Sequence, residues 1–396
     1  MRFADRLDRI PPFFFTELRL KAERKRATGV DVIALGTADP DVPTPEAVVE
    51  AMRRAVADPV HHRYPHTRGM AAFREAACAF MGERFGVDLD PDTEIVPALG
   101  GKDAVHHMAL TCLGPGDVCL SPEPGYPVYT SAPVIAGAEV AYLPLVAANG
   151  FLPDFDAIPK DVLGRANLLY LNYPNNPTGA VADLGFFERA AAFARRHDII
   201  VVHDSSYSEI AFDGHRPPSF LAAPGAREVG VEVFSLSKGW NMTGWRAGWV
   251  AGNAEIMARY AHLKPNVDTG MFGALQTACV AALTEAVDFP RQMSALYRKR
   301  RDLMIEALRA AGLDAVPPKA TPFLWVPVPE GFTSSGLSDL ILERTGVVMP
   351  PGIAFGASGE GFVRISLTVP DDRLAEAARR IAETLDLAAP AGGAVA

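Results

Sequence analysis

The chain has 396 residues, 49% hydrophobic and 21% charged, enough for a large core in two or three domains or in one large α/β domain with an appendage. A formal net charge of −9 argues against nucleic acid as a main partner, and no basic run or Lys/Arg-rich helix marks a membrane surface. The opening "MRFADRLDRIPPFFFTEL" is too charged for a secretory signal and no apolar run spans a bilayer, so a cytoplasmic enzyme is expected.

Residues 1–45 contain a helix and a Pro/Asp-rich turn, and are expected to pack with a small domain further along. From 46 to 288, short β-branched runs such as "TEIVPALGG", "ANLLYLNYPNNPTG" and "VEVFSLSK" alternate with alanine-rich helical stretches. Apolar runs bounded by turn residues and separated by helices predict a large α/β domain with a mostly parallel sheet covered on both faces. From 289 to 390 a charged helix leads to the alternating segments "PFLWVPVP" and "GFVRISL", the texture of a smaller α+β domain; 391–396 reads as a frayed tail. The four cysteines lie far apart without a Cys-x-x-Cys pair, which suits buried thiols. The pairs His61-His62 and His106-His107 are adjacent, so neither pair shares a helix face, and both are expected to be structural.

In open parallel sheets, ligands gather at the carboxyl ends of the strands. "VPALGGKDAVHH" passes from strand to helix through Gly100-Gly101, whose free N–H groups can hold a phosphate, although an ordinary strand–helix turn reads equally well. Tyr126 in "SPEPGYPVY" can stack on a flat cofactor or simply pack. Asn176 in "LNYPNNPTG" is held by its prolines, or is a turn asparagine. Asp204 in "VVHDSSYSEI", three residues before Tyr207, is either a buried carboxylate needing a cationic partner or a helix N-cap. "SLSKGWNMTGWRAG" offers the amine Lys238, the hydroxyls of Ser235 and Ser237, and the fork of Arg246, which suits phosphate. In "GFVRISL", Val363, Ile365 and Leu367 share one strand face and Arg364 and Ser366 the other, leaving Arg364 for a ligand or for solvent. A phosphate cradle, a stacking aromatic, a carboxylate for a ring nitrogen and an amine are together the parts that hold pyridoxal 5′-phosphate as a lysine Schiff base. No dinucleotide GxGxxG, HExxH, zinc spacing or complete GxSxG competes.

The run of motifs "LGTADPDVPTPE", "RYPHTRGMAAFREA", "NYPNNPTG", "SLSKGWNMTGWRAGW" and "PGIAFGASGEGFVRISL" resembles the class I/II aminotransferases of pyridoxal-phosphate fold type I, nearest the LL-diaminopimelate aminotransferase-like branch. The resemblance covers nearly the whole chain. It implies a homodimer with shared active sites and transfer of an amino group between an L-amino acid and a 2-oxo acid, the branch pointing to LL-diaminopimelate as donor and 2-oxoglutarate as acceptor; from Arg68, glutamate and aspartate are expected to serve at least as well. It further implies that Lys238 carries the cofactor, that Asp204 pairs with the ring nitrogen, that Asn176 and Tyr207 meet the ring hydroxyl, and that Tyr126 stacks. The phosphate falls to the Gly101-Lys102 backbone, Ser235, Ser237, Arg246 and Tyr64 of a second subunit; the substrate α-carboxylate falls to Arg364, helped by Gly36. Departures from the family pattern are Gly101 in place of a serine, "KGW" after Ser237 in place of Lys-Thr-Tyr, and Arg68 where diaminopimelate-specific relatives tend to carry a glutamate. Arg68 would favour a distal carboxylate over a distal ammonium. The alternative is another reaction of the same cofactor: β- or γ-elimination, cyclisation, or oxidation by O₂. A cofactor-sensing transcription regulator would need a DNA-binding module for which this chain has no room.

Overall fold

The structure is a computed structural model and describes residues 1–388; the expected frayed tail, 391–396, lies outside the described residues. Its strands run, in chain order, β1 (Ile33–Ala34), β2 (Ile95–Ala98), β3 (Val118–Glu123), β4 (Glu139–Pro144), β5 (Ala166–Asn172), β6 (Ile200–Asp204), β7 (Gly230–Ser235), β8 (Gly248–Gly252), β9 (Phe323–Pro327), β10 (Val347–Val348) and β11 (Phe362–Ser366). Seven of them form one sheet in the order β2-β8-β7-β6-β5-β3-β4, with β8 antiparallel to both of its neighbours and the other pairings parallel.

The sheet is covered on both faces because its strands are apolar on both. Along β7 every residue is buried, Val231 and Val233 on one face of the sheet and Phe234 on the other. Helix Leu184–His197 shows how the cover is made: Phe186, Phe187, Ala190, Ala191 and Ala194 recur at helical spacing and bury one stripe. Asp183 caps its start by accepting from the Phe186 N–H at 2.7 Å. In the same core Phe234 and Trp249 stack with ring centroids 4.8 Å apart.

A second core lies under β9 and β11, which pair antiparallel with Arg364 opposite Trp325. Val363, Ile365 and Leu367 enter it together with Leu324, Val326 and residues of helix Phe289–Ala310. The N-terminal segment joins this part of the molecule. β1 pairs with β10, and Leu18 and Ala22 of helix Phe14–Ala27 pack on Leu342 and Val348. Two arginines of the charged helix 289–310 are buried; Arg300 forks onto Asp41 at 2.7 and 2.8 Å and reaches Asp371 at 2.8 Å. Cys112, Cys119 and Cys279 are buried free thiols, and Cys78 is half-buried.

Candidate active site

Because β2, β5, β6 and β7 run the same way, their carboxyl ends deliver Gly100-Gly101, Asn172, Asp204 and Ser235 to one rim of the sheet. A cavity of about 270 Å³ opens there. Lys238 lies in the single helical turn Leu236–Gly239 that follows β7, a turn capped by Ser235 Oγ accepting from the Ser237 N–H at 3.2 Å. Its Nζ donates to the Ala38 carbonyl at 2.5 Å. Burial pulls the Lys238 pKa from 10.5 down to about 8; Asp39 and Asp204 resist that shift, while Arg364 and Arg246 reinforce it. Desolvation therefore outweighs the neighbouring cations as the cause of a partly neutral amine.

Asp204 ends β6 buried, but no helix follows it. One carboxylate oxygen accepts from Tyr129 Oη at 2.8 Å and the other from the Ser206 N–H at 3.0 Å and Ser206 Oγ at 2.5 Å. The carboxylate is thus held from two sides and faces the cavity. Tyr207 is buried with its ring against Phe323, and burial raises its phenol well above the usual value. Tyr126 crosses Tyr129 edge-on at 6.2 Å on the cavity wall.

At the other end of the cavity, helix Gly101–Cys112 points its N-terminus inward. Gly100 has φ +85° and ψ 167°, and a Cβ there would stand 2.7 Å from the Arg246 guanidinium; one on Gly101 would stand 3.0 Å from Ser206 Oγ. The two glycines let the backbone and Arg246 close on the same small space. Arg246 itself adopts φ +58° and donates to the Thr243 carbonyl at 2.9 Å. Lys102 has its ammonium 4.8 Å above the Phe13 ring, and burial with Arg246 nearby lowers its pKa. Free N–H groups, two serine hydroxyls and two cations make a cradle for a phosphate monoester.

Arg364 is 2% exposed. It donates to Asn176 Oδ1 at 2.7 Å and to the Gly36 carbonyl at 2.5 Å, while its Nε is buried without a partner. Phe323 and Phe355 lie 4.2 and 4.7 Å from its guanidinium carbon. Both oxygens it meets are neutral, and burial lowers its pKa from 12.5 to about 10. Lys102, Lys238, Arg246 and Arg364 share this cavity with a single lining carboxylate, Asp204, among the described residues. The site is therefore strongly cationic and suited to anionic groups at both ends.

Gly101, Lys102, Tyr126, Asn176, Asp204, Tyr207, Ser235, Ser237, Lys238, Arg246 and Arg364 all line the cavity, and Gly36 touches it through Arg364. Tyr64 does not join them; it is 93% exposed. Nor does Arg68, which is half-buried and donates to the carbonyl of Asp92. Reading the sequence missed Tyr129 and Ser206, which hold Asp204, and Phe13, Phe15 and Phe323, which wall the cavity. Only Tyr129 carried a signal, three residues after Tyr126 in "GYPVY".

Fold and site define a transaminase built on a mostly parallel α/β sheet. The chain belongs to the aminotransferase class I and II family, whose model matches residues 30–381. It is 49% identical over 382 residues to an LL-diaminopimelate aminotransferase of Dehalococcoides mccartyi, covering 96% of this chain and 98% of that protein. It is 48% identical over 383 residues to LL-diaminopimelate aminotransferase 2 of a Nostoc species, at 96% and 98% coverage. Among solved structures, substrate-bound BacF from Bacillus subtilis superposes with a TM-score of 0.93 at 39% identity, covering 97% of this chain and 98% of that one.

Proposed function

We propose that this transaminase works with pyridoxal 5′-phosphate held in the 270 Å³ cavity, and that its substrates are amino acids and 2-oxo acids gripped by Arg364. The observation that carries the proposal is a buried guanidinium with no counter-ion among the described residues, sharing the cavity with a lysine whose pKa is depressed. When bound, the cofactor supplies a carbonyl that exchanges amino groups and a ring that accepts electrons from the substrate α-carbon. The cradle formed by the Gly101-Lys102 backbone, Ser235, Ser237 and Arg246 would hold its phosphate, with the partner subunit's Tyr64 completing the set in a homodimer. Tyr126 would stack on the ring, and Asn176 and Tyr207 would meet its hydroxyl. Asp204, fixed by Tyr129 and Ser206, would keep the ring nitrogen protonated.

Arg364 orients the substrate by taking its α-carboxylate with two parallel hydrogen bonds, a match that the guanidinium fork makes better than an ammonium. Gly36 and Asn176 hold the guanidinium in place for it. Lys238 Nζ, once free, takes the α-proton; an amine with pKa near 8 is neutral in a useful fraction at neutral pH. The aromatic walls at Phe15 and Phe323 exclude water from that transfer.

For the substrate pair we propose LL-diaminopimelate with 2-oxoglutarate as acceptor, and glutamate or aspartate as alternative donors. The first rests on what the relatives' names say of those proteins. The second rests on Arg68, whose pull on a distal carboxylate requires its guanidinium to leave the Asp92 carbonyl. We further propose division into an N-terminal arm (1–45), a large domain (46–288) and a small domain (289–390), and a cytoplasmic location. The two main cores support the division, and among the described residues no helix is long and apolar enough to cross a membrane. Steady-state kinetics of Arg364→Ala test the reading: kcat/KM for the amino donor should fall on the order of 100-fold. The cofactor's absorbance should be retained. An unchanged kcat/KM would remove Arg364 from substrate binding.

A further inference from the structure

His107, one of the histidines set aside in the sequence as structural, is 5% exposed on the inner side of helix Gly101–Cys112. Its Nδ1 lies 3.5 Å from Asp103 Oδ2 and 3.8 Å from Asp268 Oδ2. Asp268 in turn accepts from the Lys264 ammonium at 2.6 Å, and Lys264 is fully buried. His107 Nδ1, Asp268 Oδ1 and the hydroxyl of the neighbouring Tyr260 are buried without hydrogen-bond partners. The cluster touches the phosphate cradle through Asp103, whose carboxylate accepts from the Leu99 N–H at 3.1 Å, directly before Gly100.

Four charged or polar side chains are thus collected in the interior, where each costs free energy unless it is paired. Asp103, His107 and Asp268 have the spacing of a small cation site, their ligand atoms within 4.8 Å of one another. Lys264 already supplies the positive charge there, and a divalent cation beside a buried ammonium would be repelled. Two carboxylates, an ammonium and an imidazole instead gather where the first two turns of the cradle helix meet the Lys264–Gly270 turn, with His107 Nδ1 facing both carboxylates. Three N–H groups of that turn, from Val267, Asp268 and Thr269, converge on the Lys264 carbonyl at 2.9–3.1 Å, so its backbone is rigid.

We propose that Asp103, His107, Asp268 and Lys264 form a positioning network that sets the height and tilt of the phosphate-binding helix N-terminus, and thereby the affinity for a phosphate monoester. The proposal rests on the reading that the Gly100-Gly101 cradle holds the cofactor phosphate. None of the four lines the cavity, so they act through the helix and not on the substrate. Hydrogen bonds from a helix N-terminus weaken as the helix moves by fractions of an ångström, whereas Arg364, on β11 of the second core, is held independently.

The experiment measures pyridoxal 5′-phosphate dissociation by equilibrium dialysis, with the ³¹P chemical shift of the bound phosphate as a second readout, on wild type, His107→Leu and His107→Gln. His107→Leu should weaken the cofactor about tenfold and shift the phosphorus resonance, while KM for the amino donor at saturating cofactor stays unchanged. His107→Gln, which keeps a donor facing the carboxylates, should recover most of the affinity. If His107→Leu does not fold, the double variant Lys264→Met with Asp268→Asn removes the charge pair together and should show the same loss. Equal affinities in wild type and folded variants would overturn the network, as would a fall in wild-type affinity on adding EDTA, which would assign the cluster to a metal. Failure of wild type to bind the cofactor would overturn the proposed function itself.

Discussion

Arg364 and Lys238 solve opposite problems within one cavity. An unpaired buried guanidinium normally costs several kcal/mol. Arg364 offsets part of that by resting on Phe323 and Phe355 and by donating to two neutral oxygens, which leaves its charge unneutralised for the carboxylate proposed above. The same burial disfavours the charged form of Lys238, and the proposed proton transfer needs its free electron pair. In the cofactor-free protein this has a measurable sign. The Lys238 pKa is about 8 folded, against 10.5 for an unperturbed lysine, so between those values the unfolded chain holds the extra proton. Burial of the charge therefore penalises folding below pH 8, and the penalty is relieved as pH rises toward 10.5. Thermal melts of the cofactor-free wild type and Lys238→Met should show the gap between them shifting in favour of wild type across that window. A gap that does not change with pH would mean that the amine is solvated.

At the scale of elements, the site is made by strand ends and one helix N-terminus, and this decides what the sequence could show. Strand ends announce themselves, because an apolar run that stops at Asp204 or Ser235 leaves a polar residue at the rim of a parallel sheet. Alternation within β11 likewise separates Arg364 from Val363 and Ile365. Contacts made between distant segments leave no such trace. Tyr129 sits on helix Val128–Ala136, where a tyrosine reads as packing, and its bond to Asp204 spans 75 residues. Phe13 and Phe15 read as an apolar start to a helix; only the fold lays them over Lys102 and Arg364. The attachment of Arg68 to Asp92 was equally out of reach, since a guanidinium bonding a carbonyl has no sequence pattern. The glycines of the cradle are more legible, and they make a sharp prediction. Gly100 combines φ +85° with ψ 167°, a region open essentially to glycine alone. Gly100→Ala should lower stability by about 1–3 kcal/mol from backbone strain. It should also weaken cofactor binding, because the new methyl displaces Arg246. Denaturant unfolding with a parallel cofactor titration checks both, and unaltered binding would mean that Arg246 does not face the phosphate.

Across the whole molecule, the cavity sits between two cores, with the first supplying Asp204 and Lys238 through the large sheet and the second supplying Arg364. The N-terminal arm belongs structurally to the second, through β1 and the Arg300–Asp41 fork, yet hands Phe15, Thr37 and Ala38 to the cavity. Tyr64 is 93% exposed, four residues after exposed Val60, and makes no contact with the cavity of its own chain. The proposed homodimer gives Tyr64 a role. Mixing inactive Lys238→Ala chains with inactive Tyr64→Phe chains should restore part of the activity through hybrid dimers carrying one intact site. A fully active monomer in sedimentation would contradict shared sites.

Amino-group transfer through a lysine-held cofactor can be followed in a single half-reaction. The reconstituted enzyme is given glutamate or LL-diaminopimelate without any acceptor, and the cofactor's absorbance is followed together with the products. A transaminase should convert to the pyridoxamine form with one equivalent of 2-oxo acid released per site, reversed by adding 2-oxoglutarate. Release of ammonia, or oxygen consumption, without accumulation of the pyridoxamine form would contradict it.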